Sequence, residues 1–527
     1  MDDDFRQASL RKVYYQPKRL VAPSFGFDLV PVLSHSLRAR NGALLRDGAV
    51  LLTLLVAVIV SAATVVVALA IVVGVQLAKS TYRLARDIVR DLRNGTRVHT
   101  ATLLPRAILL AIGWSVSWFV FGAGLAFAMG DGDDLDSLST GSLNSALGLA
   151  FLVFLVPVAH ALWTQSQLSR LTPGSTVTMP HRNERLDEIG RQQRGNTAVY
   201  SGFRPFVGSG PVVETDGFAL RLVRPERSFT EALTRHAAAP TEQQREFAEP
   251  PFQAYEIIGY LRGHLAGLVP ERRAEEQISG FSVEDRICLA GTEVSQLSPE
   301  TPPEVMAAVV QHPTTPARHY LTCQVFGWGG QLVTTVYVHI AVQGRSLYLE
   351  MTTTALPPCA ERYRIVDTAE GTEGMAWLRA VKRGLLDTPR IIGRAPANLV
   401  GALINIVAGS GNVVGSRMLA RGFDYGAQLS VRELGSELVF RNGTELADGV
   451  RNLVQVQDVA RYQRLIERRV FAAVLDFLDD RDIDTTEYRA RAASILNISG
   501  GVNNLAGTST FTGPVAGNDV NIQGAQP

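Results

Sequence analysis

Hydrophobic positions are distributed very unevenly along this chain. Three long apolar blocks, Gly48–Ala78, Leu103–Gly130 and Leu147–Gln165, contain no Asp, Glu, Lys or Arg except Arg106. A charge-free run of ~18 or more apolar residues is long enough to cross a bilayer as a helix. The pattern therefore predicts a transmembrane region over 48–165 with three or four spans. The first block is ambiguous. As one helix its roughly 31 residues would extend ~46 Å, beyond the ~30 Å hydrocarbon core, whereas two crossings with a turn need about 36–40 residues. Ser61-Ala-Ala-Thr64 at its centre marks a candidate hairpin.

Past residue 165 the periodicity changes. A polar, Pro/Gly-punctuated stretch over 166–196 reads as a juxtamembrane linker. Strands are expected at Gly217–Arg224 and within Ser282–Val294, with helices at Pro251–Leu268 and Pro303–Gln311. Three runs rich in Val, Thr, Tyr, Ile and Leu follow at 318–326, 331–342 and 346–356. Gly-rich turns at Gly327–Gly330 and Gln343–Ser346 separate them, which is the pattern of consecutive hairpins. The middle run tolerates burial on both faces and is expected to be a central strand. Together these segments predict an α+β domain over 197–370, an antiparallel sheet with helices. A connector spans 371–456 and includes a helix at 375–390. Asp458–Leu478 and a second helix capped at Asp484-Thr-Thr-Glu487 predict a helical hairpin over 457–497 that packs on a neighbour or a second copy. The Gly/Asn-rich tail over 498–527 is nearly uncharged and cannot bury a core alone.

Charge sets the expected topology. Residues 1–47 form a basic N-terminal segment with eight Lys/Arg, and Lys79 to Arg106 is basic again. The loop between the second and third blocks holds Asp131, Asp133, Asp134 and Asp136 and no basic residue. By the positive-inside rule the Asp loop is outside, and the bulk of the chain is cytoplasmic at a multi-pass inner (plasma) membrane. Arg83, Arg86, Arg90, Arg93 and Arg97 recur every three or four residues, a helical stripe suited to lipid headgroups. The overall net charge of +1 argues against a nucleic-acid partner. Cys288, Cys323 and Cys359 are far apart, which indicates neither a zinc site nor a disulfide framework.

Few motifs carry chemistry. Arg204 with Gly208-Ser209-Gly210 forms a candidate anion or interaction loop, because a Gly-Ser-Gly turn exposes backbone amides. Leu403 to Gly415 approaches the GxGxxG fingerprint through Gly409, Gly411 and Gly415, with the last glycine one residue further on, and Glu433 lies downstream as the fingerprint carboxylate. His312, His319 and His339 lack the accompanying carboxylates or cysteines of a metal site, and His160 reads as a helix-end histidine. No cofactor or metal is expected.

Three segments carry a resemblance: Phe423–Leu434, Ile466-Glu-Arg-Arg469, and Ile483-Asp-Thr-Thr-Glu487 with Ile495-Leu-Asn497. They resemble the C-terminal part of uncharacterised actinobacterial polytopic membrane proteins, and Tyr200–Gly210 is similar to their juxtamembrane loop. The tail is similar to Gly/Asn-rich tails of bacterial conflict and signalling proteins. That resemblance implies a membrane-tethered signalling or scaffold role, with membrane lipids and a homo-oligomer or protein partner through 457–527, and it brings no catalytic residue. The alternative expectation is a nucleotide-binding membrane-associated enzyme using 403–433.

Overall fold

The computed structural model describes residues 3–60, 62–93, 100–129, 140–170, 179, 183–202, 204–226, 242–267, 278, 280–294, 298–363, 374–410, 422–436 and 453–498. The chain divides into two compact units, one from 34–181 with 364–415, the other from 2–33, 182–363 and 416–527. The Asp131–Asp136 loop, Arg97, Gly411, Gly415 and the tail beyond 498 lie outside the described residues.

The helical unit follows from the apolar blocks, with one addition. After α1 (Asp3–Ser9) come α2 (Leu29–Val60), α3 (Ala62–Arg93), α4 (Thr100–Met129) and α5 (Thr140–Ser169). The block over 48–78 is thus shared by two helices of 32 residues each, with Ser61 between them outside the described residues. Each helix continues into its polar flank. Among the described residues one segment, Phe151–Ser169, is long and apolar enough to cross a membrane, with mean hydropathy 1.3. A shorter apolar helix segment runs over Ile108–Gly122.

The addition is a helix of 37 residues, Gly374–Ser410, which packs against α5 and α3. It corrects two expectations. The first part of the 371–456 connector is an integral helix of the bundle, and 403–410 is helical rather than the strand that a GxGxxG turn requires. An apolar run such as Leu403–Ala408 fits either structure, and helical propagation from 374 decides it. Gly384 explains the close approach to α5, since a Cβ there would stand 2.7 Å from Val158 Cα. Polar contacts fix the position. Lys79 Nζ donates to Asp387 Oδ1 (3.0 Å) and to the Leu386 carbonyl (2.9 Å). Buried Asp47 accepts from Arg46 Nη2 (2.6 Å) and Asn398 Nδ2 (2.8 Å), so each carboxylate oxygen has a donor.

The second unit is α+β. Its elements are α6 (Glu184–Gln192), β1 (Thr197–Tyr200), β2 (Val212–Arg221), α7 (Glu242–Arg245), α8 (Ala254–Ala266), β3 (Phe281–Ala290), α9 (Pro303–Gln311), β4 (Arg318–Gly327), β5 (Leu332–Gln343) and β6 (Ser346–Leu356). With Gly374–Ser410 taken as α10, three helices remain: α11 (Val431–Leu434), α12 (Leu453–Asp479) and α13 (Thr486–Ile498). The sheet order is β1-β3-β4-β5-β6-β2, with β5 inside as expected. The sheet is mixed rather than antiparallel, because β1 pairs parallel with β3 at one edge. β2 forms the opposite edge, antiparallel to β6, with a register shift between Val212 and Glu214.

One face of the sheet carries the main core. Leu321, Cys323, Val325, Val336, Val338, Leu347 and Leu349 meet α8 through Ile257, Leu261 and Leu265, and α12 through Ile466, Val470, Val474 and Phe477. The α12–α13 pair therefore packs its apolar face on a neighbouring element, the sheet of its own unit. Tyr488 of α13 is buried and donates to the Phe471 carbonyl (3.0 Å). The 166–196 stretch also departs from a plain linker. Asn183 caps α6 by accepting from Leu186 N at 2.9 Å, and Leu186 and Ile189 are fully buried. The start of the chain is equally committed, since Arg185 reaches the Gln16 carbonyl (3.0 Å) and Gln193 holds Asp28 (2.6 Å).

Phe477 stands 5.0 Å from the Phe252 ring and 3.6 Å from the Arg481 guanidinium carbon, so it sits at the centre of the helix–sheet core. Phe477→Ala is expected to lower unfolding free energy by about 3–5 kcal/mol. Denaturant unfolding of the full chain in detergent checks this, and a loss under ~1 kcal/mol would contradict the packing.

Candidate functional site

The most unusual group of side chains lies where edge strand β2 meets α12. Glu214 and Asp216 are two apart on β2, the spacing that turns side chains to one face of a strand. The bulge beside them lets Val213 join Val459 and Ala355 in a small apolar cluster. On α12, Gln463 and Glu467 are four apart within the buried stripe that includes Val459, Ile466 and Val470. Oxygens of Glu214, Asp216 and Glu467 lie within 4.8 Å of one another. Gln463 Nε2 donates to Glu467 Oε1 (2.8 Å) and also to Glu214 Oε2. Glu467 is 1% exposed and its Oε2 has no partner among the described residues.

The electrostatics follow from this geometry. Burial pushes the Glu467 carboxyl up to about 7, reinforced by Glu214 and Asp216 and opposed by the Gln463 amide and Arg464. Burial and then Glu214 also raise Asp216. Three carboxylates held this closely can release their repulsion by taking up a proton or a cation.

The Gly-Ser-Gly turn performs the chemistry expected of it, but the anion comes from the chain itself. The Gly208 and Gly210 amides donate to Glu433 Oε1 at 2.8 and 3.1 Å. Both glycines have positive φ, and a Cβ would come within 2.5 Å of the Pro23 carbonyl or 2.2 Å of the Ala355 carbonyl. Burial is the leading influence on Glu433 and raises its pKa, with the two amides and Arg204 pulling the other way. Ser209 is buried, while Arg204 is exposed. The nest is thus closed by the carboxylate that the sequence offered as a ribose ligand. Of the glycine motif itself, Gly409 lies within α10, and Glu433 belongs to the other unit.

The histidines do not converge. His319 pairs with Asp285 (2.9 Å), which also holds Arg262 of α8. His339 lies on the opposite face, and its Nδ1 donates to the His319 carbonyl (2.8 Å). Cys288 and Cys323 are buried free thiols, pushed up to about 12 by burial, and are inert as nucleophiles. Of the basic stripe, Arg83 and Arg86 are exposed on α3, and Arg90 and Arg93 continue the same helix.

The sheet face away from α12 is buried yet polar. Thr322, Gln324 and Thr335 lie there on adjacent strands, beneath Phe206, whose ring is 4.3 Å from that of Tyr337. Thr322 Oγ1, Thr335 Oγ1 and Gln324 Nε2 have no protein partner among the described residues, as expected where buried water completes the bonding.

A family model described as AbeC-like domain matches the chain over residues 217–512. The chain belongs to the AbeC-like domain family. The match takes in α10, strands β3 to β6, the end of β2, Gln463 and Glu467, while β1, Glu214 and Asp216 lie ahead of it. No curated protein matches the chain, and neither does any solved structure.

The acid cluster gives stability a distinctive pH dependence. A carboxyl raised in the folded state binds its proton more tightly there than when unfolded, so stability declines as pH rises from about 4.5 through about 7. Glu467→Gln removes the charge while keeping the shape. It is expected to stabilise the full chain by up to about 3 kcal/mol above pH 7, and to change little near pH 4. Unfolding midpoints across that range, with a chelator present, check this. A variant no more stable than the parent at pH 8 contradicts it.

Proposed function

We propose that this protein is a multi-pass plasma-membrane protein acting as a non-enzymatic scaffold, sensor or adaptor. Its helical unit anchors the AbeC-like α+β unit at the cytoplasmic surface, and its Gly/Asn-rich tail supports assembly. The observation that carries the reading is the outer surface of the helical unit. Ile59, Leu109, Phe119, Phe151 and Leu403 are between 63% and 77% exposed on four different helices, and Val89 of α3 is 61% exposed. Water tolerates scattered apolar residues, but exposure of large side chains on every long helix fits a hydrocarbon solvent.

Charge supports the orientation. The basic stretches around α2 and α3 belong inside, and the Asp131–Asp136 loop belongs outside. Arg83 and Arg86 then stand where anionic headgroups meet the inner leaflet. The non-enzymatic reading rests on motif chemistry. The sequence has no Walker motif, GxSxG or HExxH, and the segment that approaches a dinucleotide fingerprint begins inside α10 rather than after a strand. Among the described residues of the helical unit the buried charged group is Asp47, held by Arg46 and the Asn398 amide, which fits an anchor better than a transport path.

Two outcomes are expected. In a Cys359→Ser background, Asp134→Cys reacts with a membrane-impermeant maleimide in intact cells, whereas Glu293→Cys reacts only after permeabilisation. The opposite pattern, or release of the protein by alkaline carbonate, contradicts the topology. A chain ending at residue 496 stays in the membrane but sediments as a smaller species in detergent than the full chain. Identical sedimentation contradicts assembly through the tail.

A further inference from the structure

The carboxylates of Glu214, Asp216 and Glu467 sit where no apolar core requires them, and one of their oxygens is buried without a partner. Burying a charged carboxylate without compensation is costly, and a buried orphan acceptor adds to that cost. Arg464 is the cation that acts on Glu467, and Gln463 is spread between two carboxylates rather than neutralising either. The set is three carboxyl groups, one neutral amide and one buried oxygen without a partner among the described residues.

We propose that Glu214, Asp216 and Glu467 form a binding site for a hard divalent cation of calcium size, with Gln463 as a neutral fourth ligand. The donor set decides the class. Every donor is an oxygen, and no His or Cys belongs to the group, which excludes the usual zinc and copper pattern. The ligand number decides between the hard cations. Calcium accepts several carboxylates and an amide oxygen in a flexible protein cage, and oxygens within 4.8 Å of one another can converge on it. Magnesium demands a near-ideal octahedron and usually keeps several waters with only one or two carboxylates. Rotation of the Gln463 amide by half a turn presents its oxygen in place of its nitrogen, so the same residue serves both states.

Access and consequence follow from position. β2 is an edge strand, and Glu214 and Asp216 are half-buried, so a cation enters from the sheet edge and meets Glu467 inside. A bound ion ties that edge to α12, the helix that covers the sheet. Cation binding therefore stiffens the junction between the strand and the helix just before the assembly segment, and stabilises the fold by mass action. This site stands independently of the membrane reading.

Calorimetric titration of Ca2+ into chelator-treated full-length protein in detergent tests the proposal, with Mg2+ titrated in parallel. One Ca2+ per chain is expected, bound more tightly than Mg2+, with a thermal midpoint that rises on addition. Asp216→Asn and Glu467→Gln each weaken binding at least tenfold while circular dichroism stays unchanged. Asp133→Asn with Asp134→Asn, in the acidic loop far along the chain, leaves it intact. The proposal is overturned if no saturable Ca2+ binding occurs at millimolar concentration. It is equally overturned if Asp216→Asn combined with Glu467→Gln binds as the parent does, or if Mg2+ binds more tightly than Ca2+.

Discussion

The packing of α12 on the sheet is the contact on which the α+β unit depends. Val459, Ile466, Val470, Val474 and Phe477 supply a continuous apolar stripe to strands that lie more than a hundred residues earlier. Burial of each such side chain is worth about 1.5–3 kcal/mol, and without the stripe the central strands would face water. The same helix brings Glu467 and Gln463 to the edge strand, so the unusual acid cluster follows directly from the core contact. A sheet closed this way also leaves α13 folded back through Tyr488, and it leaves the low-complexity tail to emerge from a structured helical end.

The opposite face is held by different means. Short segments from distant parts of the chain converge on it, around residues 20–28, 204–210 and 422–436. Their joints are polar. Glu433 closes the glycine nest, Asp424 accepts from Gly426 N (2.9 Å) and Ser201, and Ala427 N donates to the Val199 carbonyl (2.8 Å) beside β1. Loops without regular structure must pair their backbone groups somewhere, and these carboxylates and strand edges supply the partners. The N-terminal segment is thereby a structural part of the unit it precedes by 160 residues or more, as the Leu20 N to Tyr425 carbonyl bond (2.9 Å) illustrates.

The sequence was most legible where local chemistry and burial agree. The hairpins over 318–356 carry β-branched runs and glycine turns, and Gly329, Gly330 and Gly344 occupy positive φ there. Helix Pro303–Gln311 was bounded by its proline start. Long-range pairings were illegible. β1 has four residues and owes its place to a parallel partner ninety residues away, which no periodicity reveals. The strand expected at 403 is part of a long helix, because a short apolar run does not distinguish the two. On α12, Gln463 and Glu467 sit within the buried stripe, while Arg461 and Arg468 are exposed. Polar residues at core positions of a helix were the available signal.

The central claim is that one unit lives in hydrocarbon and the other in water. Trp118, 66% exposed on α4, and Trp328, which donates to Asp458 in the α+β unit, report on the two environments. Single-tryptophan versions retaining one or the other, reconstituted into vesicles containing brominated phospholipid, test the claim most directly. Strong bromine quenching of Trp118 with none of Trp328 is the predicted result. Equal quenching of both, or a Trp118 quenched by aqueous acrylamide and untouched by the lipid bromines, would contradict it.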